Sequence, residues 1–121
     1  MTVEEQQEYN RLPDKAKKAY KFTKEMHPSW AHNQIMAKVG FNEQIDDLVG
    51  KRGGSDINPK DPSTLLNILE GGKRFLQRYG INIGKIMDAI NTAISGIRRA
   101  ISTGLDFIGK TISQTISWIF D

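Results

Sequence analysis

Residues 83–121 read IGKIMDAINTAISGIRRAISTGLDFIGKTISQTISWIFD. Within them Ile90, Ile94, Ile97, Ile101, Leu105, Ile108, Ile112, Ile116 and Ile119 recur at steps of 4, 3, 4, 4, 3, 4, 4 and 3. The mean period is about 3.6, that of one face of an α-helix. The positions between are mostly Ser, Thr, Asn, Gln, Lys, Arg and Asp. The reading is one long amphipathic helix over 82–121, capped by Asn82. A helix of about 35 residues would be roughly 50 Å long at 1.5 Å per residue. That exceeds the width of a small domain, so something outside the chain is expected to cover part of the stripe.

A finer regularity lies within it. Ile90, Ile101 and Ile112 are 11 apart, as are Ile94, Leu105 and Ile116, and Ile97, Ile108 and Ile119. An 11-residue repeat favours straight or slightly right-handed bundles over left-handed coiled coils. Ala93, Ala100 and Gly104 border one side of the stripe and Gly109 the other, and small borders let neighbouring backbones approach closely. Gly84, Gly96, Gly104 and Gly109 would each cost about 0.5–1 kcal/mol against Ala in a helix interior. A lone surface helix gains nothing from them, which favours packing against a second copy or a helical partner.

The same helix admits a membrane reading, with Phe107, Trp118 and Phe120 as anchors at the headgroup level. Its polar face weighs against this. Lys85, Arg98, Arg99 and Lys110 are its basic groups, offset by Asp88, Asp106 and Asp121.

Upstream, shorter helices are expected. Thr2 and Glu5 form a capping box for a helix over Val3–Arg11. Pro13 or Asp14 starts a second, to about Met26, which His27-Pro28 ends because a residue before proline leaves the helical region. Ser29 would cap a third helix, Trp30 to Val39, closed by Gly40. Asn42 would cap a fourth, to about Val49. These four form an N-terminal helical bundle over 1–50, with Tyr9, Leu12, Tyr20, Phe22, Trp30, Ile35, Val39, Phe41, Ile45 and Leu48 as its core. Residues 51–61 read as a hinge loop, and Asp61-Pro62 as an N-cap with proline at the first helical position. A short helical segment over 62–80 follows, interrupted at Gly71-Gly72 and ended by Gly80. The fold class is all-α: a small N-terminal bundle followed by a long C-terminal amphipathic helix.

Composition sets the outer bounds. The chain has 121 residues, 38% hydrophobic, with net charge +3 and no cysteine; its mean hydropathy is −0.47. One modest core is the most such a chain builds. Without cysteine there are no disulfides or thiolate sites. The acidic, polar start is no secretory signal, and no apolar run is long enough to span a bilayer. Cytoplasmic synthesis is the expectation, with incorporation into a particle a fitting setting.

Chemistry is poorly supplied. His27 and His32 are five apart, off the i, i+4 spacing of a helical metal pair. Each reads as a capping or surface group. Asp46 and Asp47 diverge on a helix and make a poor acid/base pair. Lys51-Arg52-Gly53-Gly54-Ser55 lacks the order of a P-loop. No catalytic residue, metal or cofactor is expected. The basic excess gathers around Lys51, Arg52, Lys60, Lys73, Arg74 and Arg78. Gln34 to Leu48 has helix-turn-helix spacing about Gly40, but Glu43, Asp46 and Asp47 on its second helix would repel a polyanion. Nucleic acid is therefore not favoured. The leading expectation is a non-enzymatic structural protein, such as a small virion or phage component, that self-associates or docks on a helical partner. The alternative is a membrane-permeabilising protein using the same helix.

Overall fold

The structure, a computed structural model, describes residues 1–51, 53, 58, 61–104 and 117–119. All regular structure among them is helical, and the fold is all-α.

Thr2 opens α1, Val3–Arg11, through the expected capping box: its hydroxyl accepts from the Glu5 N–H, and the Glu5 carboxylate accepts from the Thr2 N–H. The link lowers the Glu5 carboxyl from its ordinary value, chiefly through the Thr2 backbone hydrogen bond. After Leu12-Pro13, α2 runs Asp14–Met26 and buries Ala16, Tyr20 and Thr23. A turn at 27–30 follows, in which the His27 and Trp30 rings stack at 3.8 Å. That stack holds Trp30 outside the next helix. α3 accordingly begins at His32, and not at Trp30 after a Ser29 cap.

α3 runs unbroken over His32–Lys51, and α4 over Pro62–Arg78. The Asp61 carboxylate caps α4 by accepting from the Thr64 N–H at 3.0 Å. Neither Gly40 nor Gly71-Gly72 interrupts a helix. These glycines sit where α3 and α4 press together. A β-carbon at Gly72 would lie 2.2 Å from the Phe41 ring, one at Gly71 2.0 Å from Gln44, and one at Gly40 2.9 Å from Leu76. A side chain at these positions would have to displace a neighbour across the interface, so helix propensity is given up for close contact between the two helices. With no turn at Gly40, the helix-turn-helix geometry is absent.

α4 ends at Gly80, which takes φ +65. The Ile81 N–H then bonds back to the Leu76 carbonyl at 2.8 Å, the hydrogen bond of a Schellman cap. The Arg11 guanidinium completes this end, donating to the Tyr79 and Gly80 carbonyls at 2.8 Å each. A cation at a helix C-terminus also meets the negative end of the dipole. α1 is thus tied to the far end of α4.

The connection turns at Gly84, φ +58, and α5 runs Lys85–Thr103. Asn82 supports the turn by accepting from the Gly84 N–H at 2.9 Å, while Gly84 holds the cap position expected of Asn82. A connection this short makes α4 and α5 a helical hairpin, clasped by an ion pair of Arg98 with Glu70. The helix expected to continue to residue 121 ends at Thr103, where Gly104 takes the left-handed φ of +68. Residues 117–119 are helical again, and they lie on the first part of α3. Trp118 sets its ring edge-on to Trp30 at 5.5 Å, and Lys38 Nζ donates to the Ile119 carbonyl at 2.8 Å.

The buried side chains make one cluster, from Leu12 on the α1–α2 junction through Ile35, Phe41, Leu69 and Ile90 to Ile119. Of the core expected for the first fifty residues, Leu12, Tyr20, Ile35, Val39, Phe41 and Leu48 are buried. Tyr9, Trp30 and Ile45 pack at its margin. Phe22 does not: it is 64% exposed.

Candidate functional site: a closed polar network and two open apolar faces

Three buried polar side chains from three helices meet in one network. Glu8 on α1, Tyr20 on α2 and His32 at the start of α3 are all buried. His32 Nε2 lies 2.8 Å from Glu8 Oε1, and His32 Nδ1 lies 2.8 Å from the Tyr20 hydroxyl. Glu8 Oε2 accepts from the Asn82 N–H at 2.7 Å. With a neutral imidazole the assignment is unique. Nε2–H donates to the carboxylate, and Nδ1 accepts from the phenol. The chain of bonds therefore joins α1, α2, α3 and the α4–α5 connection.

In order, carboxylate, imidazole and hydroxyl resemble a nucleophilic relay. Burial first, then the charges of Glu5, Tyr9 and Glu8, raise the Tyr20 phenol above its ordinary value, so the folded chain holds this proton more firmly than an exposed phenol would. Both carboxylate oxygens of Glu8 are used, and among the described residues no buried side-chain polar atom lacks a partner. The network is a tie between helices. Tyr20 and His32 also line an open depression, together with Met1, Tyr9, Lys24 and Trp30.

His32 is thus no surface group, contrary to expectation. The signal was available: His32, Ile35, Met36 and Val39 share a helical face, and the last three are core. His27 does lie near the surface, stacked on Trp30. Among the described residues no His, Asp and Glu cluster could hold a metal ion.

The residues of the α5 stripe divide. Ile90, Ile94 and Ile97 are buried with Ala93 and Ala100 inside this chain, and Ile119 is buried with them. Their physical partner is their own core, chiefly the α4 side of the hairpin, so these positions present no free face. Ile101, on the last turn of α5, is 45% exposed. Gly104 is the helix stop and not a close-packing border. Leu105, Phe107, Ile108, Gly109, Ile112, Ile116 and Phe120 lie outside the described residues. Trp118 is half-buried against Trp30.

A second apolar face appears on α2, where Phe22 and Met26 stand one turn apart, 64% and 62% exposed. Sequence reasoning placed Phe22 in the core and missed it.

No protein family, curated protein or solved structure matches this chain. No helix among the described residues is long and apolar enough to cross a membrane.

Proposed function

We propose that this chain is a non-enzymatic assembly protein that associates with copies of itself through the end of its α5 stripe. One observation carries the reading. Ile101 is 45% exposed although it shares a face with the buried Ile94 and Ile97. Ile101 is the one exposed stripe residue among the described ones, and in the sequence the pattern runs on in the same register through Leu105, Ile108, Ile112 and Ile116. Apolar surface left open in this way is removed from water most readily by a second surface of the same kind. The closed Glu8–His32–Tyr20 network supports a scaffold role, because its groups are spent on holding helices together. A small helical component of a larger particle, such as a virion, suits such a chain.

The test is the molar mass by light scattering of the full chain and of Ile101→Asp, measured from ~1 to ~100 μM, a range over which mass action reveals moderate self-affinity. The expected result is a mass that rises with concentration for the parent chain and stays monomeric for Ile101→Asp, with equal helix content. A monomeric parent chain across the series overturns the proposal.

A further inference from the structure

α2 carries Lys15, Lys17, Lys18, Lys21 and Lys24 against Asp14 and Glu25. This one helix therefore holds a surplus of three positive charges, equal to the net +3 of the whole chain. Residues 51–80 carry an equal surplus, six basic groups against three acidic, and there Lys51 is paired with Asp47 at 3.1 Å. Two of the α2 lysines are engaged within the fold. Lys15 pairs with Asp46 at 3.3 Å, which raises its pKa, and Lys17 lies over the Tyr9 ring at 6.0 Å. Lys18, Lys21 and Lys24 are exposed, and among the described residues none is within ion-pair distance of a carboxylate. Successive helical residues step by about 100°, so Lys18, Lys21, Phe22, Glu25 and Met26 share the outward half of α2. Ala16, Tyr20 and Thr23 face inward. The outcome is two large apolar side chains, open to solvent, set among unpaired lysines.

We propose that this face of α2 docks on an anionic lipid bilayer. Phe22 and Met26 enter the headgroup region, and Lys18 and Lys21, on the same face, lie over the lipid phosphates and carboxylates. The composition favours this occupant over a protein or a nucleic acid. Protein interfaces are depleted in lysine and enriched in arginine, and α2 has no arginine. Base stacking employs aromatic rings, whereas Met26 is flexible and apolar and suits acyl chains. Lysine is a compact point charge on a long stem, able to lie along apolar surface while its ammonium stays in water. α2 remains part of the folded core, so contact is at the surface, to the depth of an interfacial helix. This face is separate from α5 and does not depend on self-association.

The experiment is co-sedimentation of the full chain with vesicles of phosphatidylcholine alone or with ~30% phosphatidylserine, at ~50 and ~500 mM salt, a span over which screening removes most surface attraction. Binding is expected to the anionic vesicles at low salt, with a steep fall at high salt. Each lysine neutralised lowers the partition coefficient about fivefold, so Lys18→Gln with Lys21→Gln lowers it about 25-fold. Phe22→Ala with Met26→Ala lowers it at least tenfold at fixed salt. All four side chains are exposed, so helix content should not change. Absence of binding at low salt overturns the proposal, as does binding that neither pair of substitutions affects. Equal binding to heparin, untouched by Phe22→Ala with Met26→Ala, would assign the face to a polyanion instead. Ile101→Asp is expected to bind vesicles like the parent chain; loss in that variant alone would move docking to α5.

Discussion

A methyl group added at Gly72 tests the packing of α3 on α4 by its sign as well as its size. The β-carbon of Gly72→Ala would lie 2.2 Å from Phe41 Cδ1 and 2.5 Å from Cε1, where an ordinary contact is about 3.5–4.0 Å. Phe41 is fully buried. Overfilling a packed core costs about 1–3 kcal/mol. Alanine returns about 0.5–1 kcal/mol through helix propensity. The net expectation is a loss between zero and about 2.5 kcal/mol, centred on about 1 kcal/mol, or about 3–6 °C in Tm at that centre for a chain of this size. Urea denaturation followed by circular dichroism at the helix band measures it. Gly50→Ala is the control, since nothing lies within 4 Å of that position; it should gain up to about 0.5 kcal/mol. Gly71→Ala should cost less than Gly72→Ala, because the atom it meets belongs to the flexible side chain of Gln44. A Gly72→Ala protein more stable than its parent would refute the reasoning, since that is the result expected of a glycine that merely interrupts a helix.

His32→Phe removes the donor to Glu8 and the acceptor for Tyr20, leaving a buried carboxylate short of a partner. It should cost about 2–4 kcal/mol in denaturant titration, and a loss below about 0.5 kcal/mol would reduce the network to decoration. The raised pKa of Tyr20 sets an alkaline limit. Its proton is kept by the folded state and lost more readily by the unfolded one. The contribution is therefore complete below the ordinary phenol value of about 10 and is lost as pH rises from there through the folded value. Phenolate absorbance of the parent chain should include a step above the ordinary phenol value that Tyr20→Phe removes, and Tyr20→Phe should flatten the alkaline fall in stability. Arg11→Met keeps the aliphatic stem but removes two hydrogen bonds to the end of α4; a loss of about 1 kcal/mol is expected, shrinking in high salt if the helix dipole contributes.

Signals that act within a few residues were legible in the sequence. The Thr2–Glu5 capping box, the α2 start after Pro13, the Asp61-Pro62 cap and the Gly80 stop all appear where their side chains dictate. Gly40, Gly71 and Gly72 misled because a glycine's local chemistry is the same whether it ends a helix or admits a neighbour. Only the partner across the interface, Leu76 or Gln44 or Phe41, decides. The α5 stripe has the same ambiguity. A period of about 3.6 says which residues share a face, and nothing about what covers it. Here α4, folded back by the short connection, covers Ile90 to Ile97. His32 was misjudged by counting its spacing from His27 and not from Ile35, Met36 and Val39. Glu8 and Tyr20 gave no local sign of their meeting, because the bond that joins them runs through a third helix.

The central claim is that the α5 stripe is divided, its first part spent on the chain's own core and its last turn open to a second copy. Hydrogen exchange of the full chain at ~1 and ~100 μM, read by peptide, separates the two because exchange reports the local opening energy of each segment. Amides over 90–97 should be protected equally at both concentrations, and those over 98–104 should gain protection at the higher one. Exchange over 98–104 that ignores concentration would contradict the account.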